Sequence, residues 1–191
     1  TALAFLLIGG VEALIMRTQL AHPNSGLVGP ETYNPIMSMH GTTMTLLHYR
    51  PMFAAFGNYF LPLHIGTRDM AFPRLNALSY WIFLLSGCFM YASFIVGKAP
   101  DGGWFAYTPL TSSQYSPGVN LDFWAIGVTF LGVSTTVGAI NFIVTTFRLR
   151  APGMSFNRLP LFVWGIVAMS FMIVFALPAI TLAGLLLELD R

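Results

Sequence analysis

The sequence predicts an all-helical integral membrane protein, and three observations support this fold class. Hydrophobic residues make up 55% of the 191 residues, whereas charged residues make up only 8%. A soluble domain usually has about 25% charged residues, so this chain has too few charges to cover a water-exposed surface. Its apolar residues also lie in long uninterrupted runs without the alternating pattern of barrel strands, which favours spanning helices.

Five apolar stretches form a single membrane domain of residues 1–191, and we expect five transmembrane helices. The stretches lie at residues 1–16, 36–65, 75–96, 123–147 and 161–187. All but the first have the ~20 residues needed to cross ~30 Å of hydrocarbon. The chain begins inside an apolar run without the features of a signal peptide, so we expect the first helix to be truncated.

The distribution of basic residues predicts the orientation of the bundle. Five arginines lie in the loops at residues 66–74 and 148–160, against two basic residues, Arg17 and Lys98, at the other two loops. Because loops on the cytoplasmic side carry more basic residues, the amino end and the two arginine-rich loops are expected there. The net charge of +2 gives no indication of nucleic-acid binding. The single cysteine, Cys88, excludes a disulfide framework and a thiolate metal site.

His40, in the segment MSMHGTTM, is the first candidate for a functional residue. An imidazole in a membrane helix is either a metal or haem ligand or a side chain bonded to a neighbouring carbonyl, and the sequence leaves both open. Asn58 follows eighteen residues later. On an unkinked helix it would lie on the same face as His40, ~27 Å along the axis.

A second group of candidates lies near the arginine-rich end of the second span. Asn58, Asp69 and Asn76 could collect protons and pass them to ordered water, or they could form a cluster of helix caps and turns. A polar stripe follows on the fourth span. It either packs against neighbouring helices or lines a wet path, and its members are Ser134, Thr135, Asn141 and Thr145.

Charged side chains in or beside the spans have equally open interpretations. Arg17 ends the first helix, where it either snorkels to the membrane surface or donates hydrogen bonds to a bound haem. Arg50 lies within the second span and would cost at least ~2.5 kcal/mol there unless it is paired. Arg50 and His48 are expected to point roughly 80° to either side of the His40 face.

Several segments, taken in order, resemble subunit I of the haem–copper oxidases of the cytochrome c oxidase type. The matching strings are MHGTTM, FGNYFLPLHIG, RDMAFPRLNALSYW, APDGGWFAYTPL, YSPG, GAINFIVT, RAPGM and LPLFVWG. They cover nearly the whole chain after the first helix. His48 and Arg50 depart from the family, which usually has an apolar run at the positions of residues 47–50.

The resemblance implies roles for individual residues. It makes His40 an axial ligand of a low-spin haem of the a type, and Arg17 the donor to the formyl group of that haem. It makes Asp69 the entrance of the D proton channel. The remaining positions implied for this channel are Asn58, Asn76, Ser134, Thr135 and Asn141.

The resemblance also implies that much of the redox site lies beyond this chain. Copper B, the high-spin haem and the second low-spin ligand are expected on later helices, so the chain alone is not expected to reduce oxygen. The implied partners are the remainder of subunit I, subunits II and III, the donor cytochrome c and membrane lipid, with no nucleic acid. The implied location is the bacterial cytoplasmic or mitochondrial inner membrane.

Three functions therefore follow as hypotheses. The first is a part of a proton-pumping cytochrome c oxidase. The second is a non-catalytic paralogous subunit that stabilises a respiratory complex, which His48 and Arg50 favour. The third is an oxidase with quinol as donor.

Overall fold

The computed structural model describes residues 1–97 and 99–191, so Lys98, which entered the comparison of loop charges, lies outside the described residues. The described chain contains no strand, which confirms the all-helical prediction. Its long elements are α1 (Ala2–Gln19), α2 (Pro30–Thr42), a π-helix (Thr43–Tyr49), α3 (Arg50–Ile65), α4 (Pro73–Val96), α5 (Asn120–Arg148) and α6 (Leu161–Asp190). A short 3-10 turn, Phe156–Arg158, precedes α6.

Four of these helices, α1, α4, α5 and α6, are each long and apolar enough to cross a membrane. The second predicted span is a continuous helical rod built from α2, the π-helix and α3. This rod starts earlier than residue 36, because Pro30 occupies the first helical turn, where its missing N–H is not needed. It ends at Gly66, whose φ of +73° is the left-handed conformation that glycine adopts at helix C-termini.

The π-helix changes the direction in which the later residues of the rod point. Its i→i+5 hydrogen bonds give a wider turn than the α-helix. It ends at Tyr49, two residues before Pro51, which lacks an N–H and so cannot donate a hydrogen bond to the preceding turn. The rod therefore does not keep the α-helical phase, so the unkinked helix on which His40 and Asn58 would share one face is not present. His40 contacts α1, and Asn58 lines a cavity with residues of α1, α4, α5 and α6.

Polar contacts fasten the two ends of the bundle. At one end, which we call the His40 end, the loop between α4 and α5 is bound to the rod because the Gly103 N–H donates to Ser38 Oγ at 2.9 Å. At the opposite end, which we call the Asp69 end, the Ala151 N–H donates to the Ile65 carbonyl at 2.9 Å. The rod spans the distance between them, so His40 and Asp69 lie at opposite ends of the bundle.

The apolar core consists of two clusters that follow this division. The cluster towards the His40 end contains Phe5, Met39, Leu47, Phe83, Met90, Ala99, Trp124, Ala125 and Leu131. The cluster towards the Asp69 end contains Leu61, Ile65, Met70, Phe142, Leu159, Val163 and Ile166.

Candidate functional site: a haem ligand position and a polar cavity

His40 is held by the backbone of the neighbouring helix α1. Its Nδ1 lies 2.9 Å from the carbonyl oxygen of Gly9, and the ring is half-buried. A carbonyl oxygen only accepts hydrogen bonds, so Nδ1 carries the proton and Nε2 keeps its lone pair. Histidines that bind a metal commonly donate their other ring N–H to a backbone carbonyl in this way. The hydrogen bond to a carbonyl is thus compatible with ligation, and the ring fits a haem iron at Nε2.

Close backbone packing gives His40 this position. A Cβ atom at Gly9 would lie 2.7 Å from Met44 Sδ, so glycine allows α1 to approach the π-helix. A Cβ atom at Gly41 would lie 3.0 Å from three atoms of Trp104, which places that indole, from the loop between α4 and α5, directly against the rod. Glycine is needed at both points because no other residue leaves the backbone free of side-chain bulk.

His48 faces the same neighbouring helix as His40. Its Nδ1 lies 3.0 Å from the carbonyl oxygen of Ala2, near the start of α1. The expectation that His48 points well away from the His40 face is wrong, because the intervening residues are π-helical.

Arg17 lies in the last turn of α1 and is exposed. It follows Gly9, the partner of His40, by eight residues, which corresponds to ~12 Å along the helix. The guanidinium is therefore at the end of the bundle, and its hydrogen bond to a haem substituent stays a prediction.

Four of the six predicted proton-channel residues line one cavity of about 700 Å³ between α3, α4 and α5. These four are Asn58, Asn76, Ser134 and Thr135. Their polar groups come from three helices that are distant in sequence, so the bundle brings them together. Other residues of the lining include Thr45, Arg50, Ser79, Phe83, Phe142 and Met169.

The Asn58 amide shows that this cavity suits water. Its Nδ2 donates to the Ala54 carbonyl at 2.8 Å, but its Oδ1 is buried and accepts no hydrogen bond from the described protein. Leaving a buried acceptor unpaired costs ~1–3 kcal/mol. Water in a cavity of this size relieves that cost, and the hydroxyls of Ser134 and Thr135 offer further acceptor oxygens.

Asn141 and Asp69 are not among the lining residues of this cavity. Asn141 is 1% exposed, and its amide forms a pair with the backbone of Phe72: the Phe72 N–H donates to Oδ1 at 3.0 Å, and Nδ2 donates to the Phe72 carbonyl at 3.2 Å. One turn on, Thr145 Oγ1 accepts from the Ala71 N–H at 2.9 Å. These contacts bind the loop that contains Asp69 to α5.

Asp69 itself is exposed at the end of the bundle. Its Oδ1 accepts a hydrogen bond of 2.7 Å from the following Met70 N–H, while Met70 is buried beneath it. The carboxylate is therefore fixed at the surface by its own turn, directly before the segment that Asn141 holds.

Glu12 is a buried carboxyl group that is not among the site residues predicted from the sequence. This side chain is 7% exposed on α1, and its Oε1 accepts a hydrogen bond from the Tyr91 hydroxyl at 3.0 Å. The Tyr91 hydroxyl also lies 2.5 Å from Thr43 Oγ1 of the π-helix. An acidic residue inside an apolar run is itself a signal of a special role, and this signal was available in the sequence.

His40 is a single candidate ligand, and metal-binding side chains are not clustered in the part of the chain that the structure describes. Within residues 1–97 and 99–191, no group of three or more His, Cys, Asp or Glu side chains is placed to hold a metal ion. The copper centre that the resemblance implies is thus not formed by the described residues.

Comparison with known proteins agrees with the resemblance seen in the sequence. The family model described as "Cytochrome C and Quinol oxidase polypeptide I" matches residues 1–191. A putative cytochrome c oxidase subunit 1-beta of Streptomyces coelicolor is 48% identical over 192 residues, which cover 100% of this chain and 34% of the relative.

Two further relatives match a similarly large share of this chain. Cytochrome c oxidase subunit 1 of Bacillus subtilis is 44% identical over 98% of this chain and 30% of its own length. The haem–copper oxidase subunit I+III of Aeropyrum pernix is 44% identical over 100% of this chain and 24% of its own length. The chain spans about a third or less of the length of these relatives, and it belongs to the cytochrome c and quinol oxidase polypeptide I family of integral membrane proteins.

Proposed function

We propose that this chain is the N-terminal part of the catalytic subunit of a respiratory terminal oxidase that couples electron transfer from cytochrome c to oxygen with proton pumping. In this proposal His40 binds a low-spin haem of the a type, and Arg17 donates to a substituent of that haem. The observation that carries the proposal is the hydrogen bond from His40 Nδ1 to the Gly9 carbonyl, which leaves Nε2 available.

The chain's own contribution to electron transfer is to orient and hold the ligand. The carbonyl of Gly9 fixes both the tautomer and the plane of the His40 ring, and it makes Nε2 a better electron donor by accepting the Nδ1 proton. A haem iron bound at Nε2 supplies one-electron exchange. Trp104 packs against Gly41, the residue that follows His40 in the rod.

The chain's second contribution is a proton path from the Asp69 end towards the middle of the bundle. Asp69 takes up protons at the surface, and Asn141 fixes the loop that presents it. Water in the cavity then carries the proton past Asn58, Asn76, Ser134 and Thr135. The unpaired Oδ1 of Asn58 supports this hydrated path, since it needs a donor that the described protein does not supply.

The remaining parts of the reaction belong to other parts of the complex. Copper B, the high-spin haem and the second low-spin ligand are assigned to the part of subunit I that the relatives contain and this chain does not cover. Subunits II and III are the proposed partners. The family description includes quinol as well as cytochrome c oxidases, so quinol is the alternative donor.

Substitution of His40 in the full-length oxidase tests the proposal. His40→Ala should abolish the low-spin haem absorption band and oxygen consumption, because the iron loses a protein ligand. His64→Ala is the matched control, since His64 is an exposed histidine on α3 whose ring lies near those of Phe60 and Phe162. An unchanged low-spin band in the assembled His40→Ala oxidase would refute the assignment.

The alternative is a non-catalytic paralogous subunit, and Arg50 is the observation that favours it. A charged guanidinium lines the cavity through which the proposed proton path runs. The same His40 experiment separates the two functions: a paralogue without catalysis would show no low-spin haem band in either the parent protein or the variant.

A further inference from the structure

Arg50 is a charged side chain inside the membrane-spanning rod. It is the first residue of α3 and lies near the middle of the rod, with Pro30 and Ile65 at the two ends. Its guanidinium lines the cavity between α3, α4 and α5. Its one hydrogen bond to the described protein is from Nη2 to the Leu131 carbonyl at 3.5 Å, which is long for a bond from a charged donor.

The described residues do not neutralise this charge. The one ion pair within residues 1–97 and 99–191 joins Arg191 to Asp122, at the His40 end of the bundle. Among the lining residues of the cavity, Arg50 is the sole Asp, Glu, Lys, Arg or His side chain in the described chain. Arginine side chains at membrane depth pair with another group because an isolated charge there is costly.

The neutral polar groups of the cavity do not fill this role. Ser134 donates its hydroxyl hydrogen to the Ser79 carbonyl at 2.6 Å, and Thr45 donates to the Gly41 carbonyl at 2.6 Å. Thr135 donates to the same Leu131 carbonyl that Arg50 contacts. Their oxygens can accept from Arg50 or from water, but none of them carries a negative charge.

We propose that Arg50 is a binding site for a single carboxylate group within this cavity. A guanidinium has five N–H donors in a planar fork, which matches the two oxygens of a carboxylate. The apolar lining at Phe53, Ala54 and Phe83 suits the carbon chain that carries a carboxylate. Chloride or phosphate would lose hydration against that lining without gaining apolar contacts. The proposal stands whether or not His40 binds haem.

Such a carboxylate has two possible sources. It is either an acidic side chain from the further length of the subunit or the head of a free fatty acid that enters the cavity. Both sources make the same charge-assisted pair with Arg50, and they differ in whether the carboxylate exchanges with solution.

The experiment uses the purified full-length oxidase and its Arg50→Gln and Arg50→Lys variants. Binding of carboxyl-labelled laurate is measured by infrared spectroscopy through the isotope-shifted carboxylate stretch. For a free carboxylate, the parent protein should bind laurate and Arg50→Gln should bind it roughly tenfold more weakly or worse, which corresponds to ~1.4 kcal/mol. Arg50→Lys should keep most of the binding because it keeps the charge.

For a side-chain carboxylate, no laurate should bind. Instead, Arg50→Gln should gain the infrared band of a protonated carboxyl group that the parent and Arg50→Lys lack, because the buried partner takes up a proton once the guanidinium is removed. Arg148→Gln is the matched control, since it removes an exposed arginine at the end of α5 and should change neither signal.

A second pair of variants leaves Arg50 in place. Ala54 lines the cavity one helical turn after Arg50, so Ala54→Glu places a carboxylate next to the guanidinium, whereas Ala54→Gln does not. For a free carboxylate, Ala54→Glu should therefore displace laurate. For a side-chain carboxylate, it should produce the protonated-carboxyl band. Ala54→Gln should change neither signal. The proposal would be overturned if the parent protein bound no laurate and neither Arg50→Gln nor Ala54→Glu gained the protonated-carboxyl band. It would equally be overturned if the parent and Arg50→Gln bound laurate with the same affinity.

Discussion

At the scale of single residues, polar side chains of the same type have different roles according to what they bind. Asn58 lies on the cavity with an unpaired Oδ1, so its amide is available to water. Asn141 uses its Oδ1 and Nδ2 on the backbone of Phe72, so its amide holds a loop. Removing the Asn141 side chain would leave the Phe72 N–H without its acceptor, whereas the Phe72 carbonyl would keep the Asn76 N–H as a donor. A change at Asn141 would thus act on the position of Asp69 as well as on any channel.

The proposed role of Asp69 gives a prediction at this scale. In the full-length oxidase in vesicles, Asp69→Asn should lower the rate of proton uptake from the Asp69 end about tenfold or more, because an amide does not bind and release protons near neutral pH. The measurement is the pH change outside and inside the vesicles during turnover. Asp190→Asn is the control, since Asp190 is an exposed acid at the far end of α6. Normal uptake by the Asp69→Asn protein would contradict the proposed entrance.

At the scale of elements, glycines decide how closely the helices approach. A Cβ atom at Gly57 of α3 would lie 2.8 Å from Cζ of Phe142 on α5, a buried ring with little room to move. Gly165 of α6 is exposed and has nothing within 4 Å of the same atom. One helical glycine thus forms a contact between α3 and α5, while the other is free of such contacts.

This difference predicts opposite effects of the same substitution. Gly57→Ala should destabilise the protein by about 1–3 kcal/mol, because the added methyl group forces α3 and α5 apart. Gly165→Ala should be neutral or stabilise by up to ~1 kcal/mol, because alanine favours the helix. The measurement is thermal unfolding of the detergent-solubilised oxidase. Equal unfolding temperatures for the two variants would show that the contact at Gly57 does not limit packing.

At the scale of the whole molecule, the candidate haem ligand and the candidate proton entrance lie at opposite ends of the helical bundle. The His40 end is closed by the loop between α4 and α5, which is bound to Ser38, and by the ion pair of Arg191 with Asp122. The Asp69 end is closed by the loop that Asn141 holds. This arrangement allows a proton entrance on one surface and a haem ligand near the other, as a pump across a membrane requires.

The distribution of basic residues among the loops predicts which end of the bundle faces the cytoplasm. After replacement of the exposed Cys88 by serine, Ser155→Cys should react with a membrane-impermeant thiol reagent from the cytoplasmic side. Ser113→Cys, at an exposed position in the loop between α4 and α5, should react from the opposite side of the membrane. Labelling of both cysteines from one side, or of each from the reverse side, would contradict the predicted orientation.

The sequence by itself determined the fold class, the approximate helices and the family. These features depend on local information: runs of apolar residues set the spans, and the strings around His40, Asp69 and Asn141 stand in a fixed order. It also identified Asn58, Asn76, Ser134 and Thr135 as candidates, although it left open whether they pack helices or line a wet path.

Only the tertiary structure decided which way those side chains face. The π-helix rotates the later part of the rod, so His48 turns to α1 and Asn58 turns to the cavity, which a uniform helical period did not predict. Contacts between residues far apart in sequence made Asn141 a loop anchor and left Arg50 on the cavity without a described counter-charge. The physical reason is that side-chain direction depends on the phase of the helix and on the neighbouring helices, whereas hydrophobic span length depends on neither.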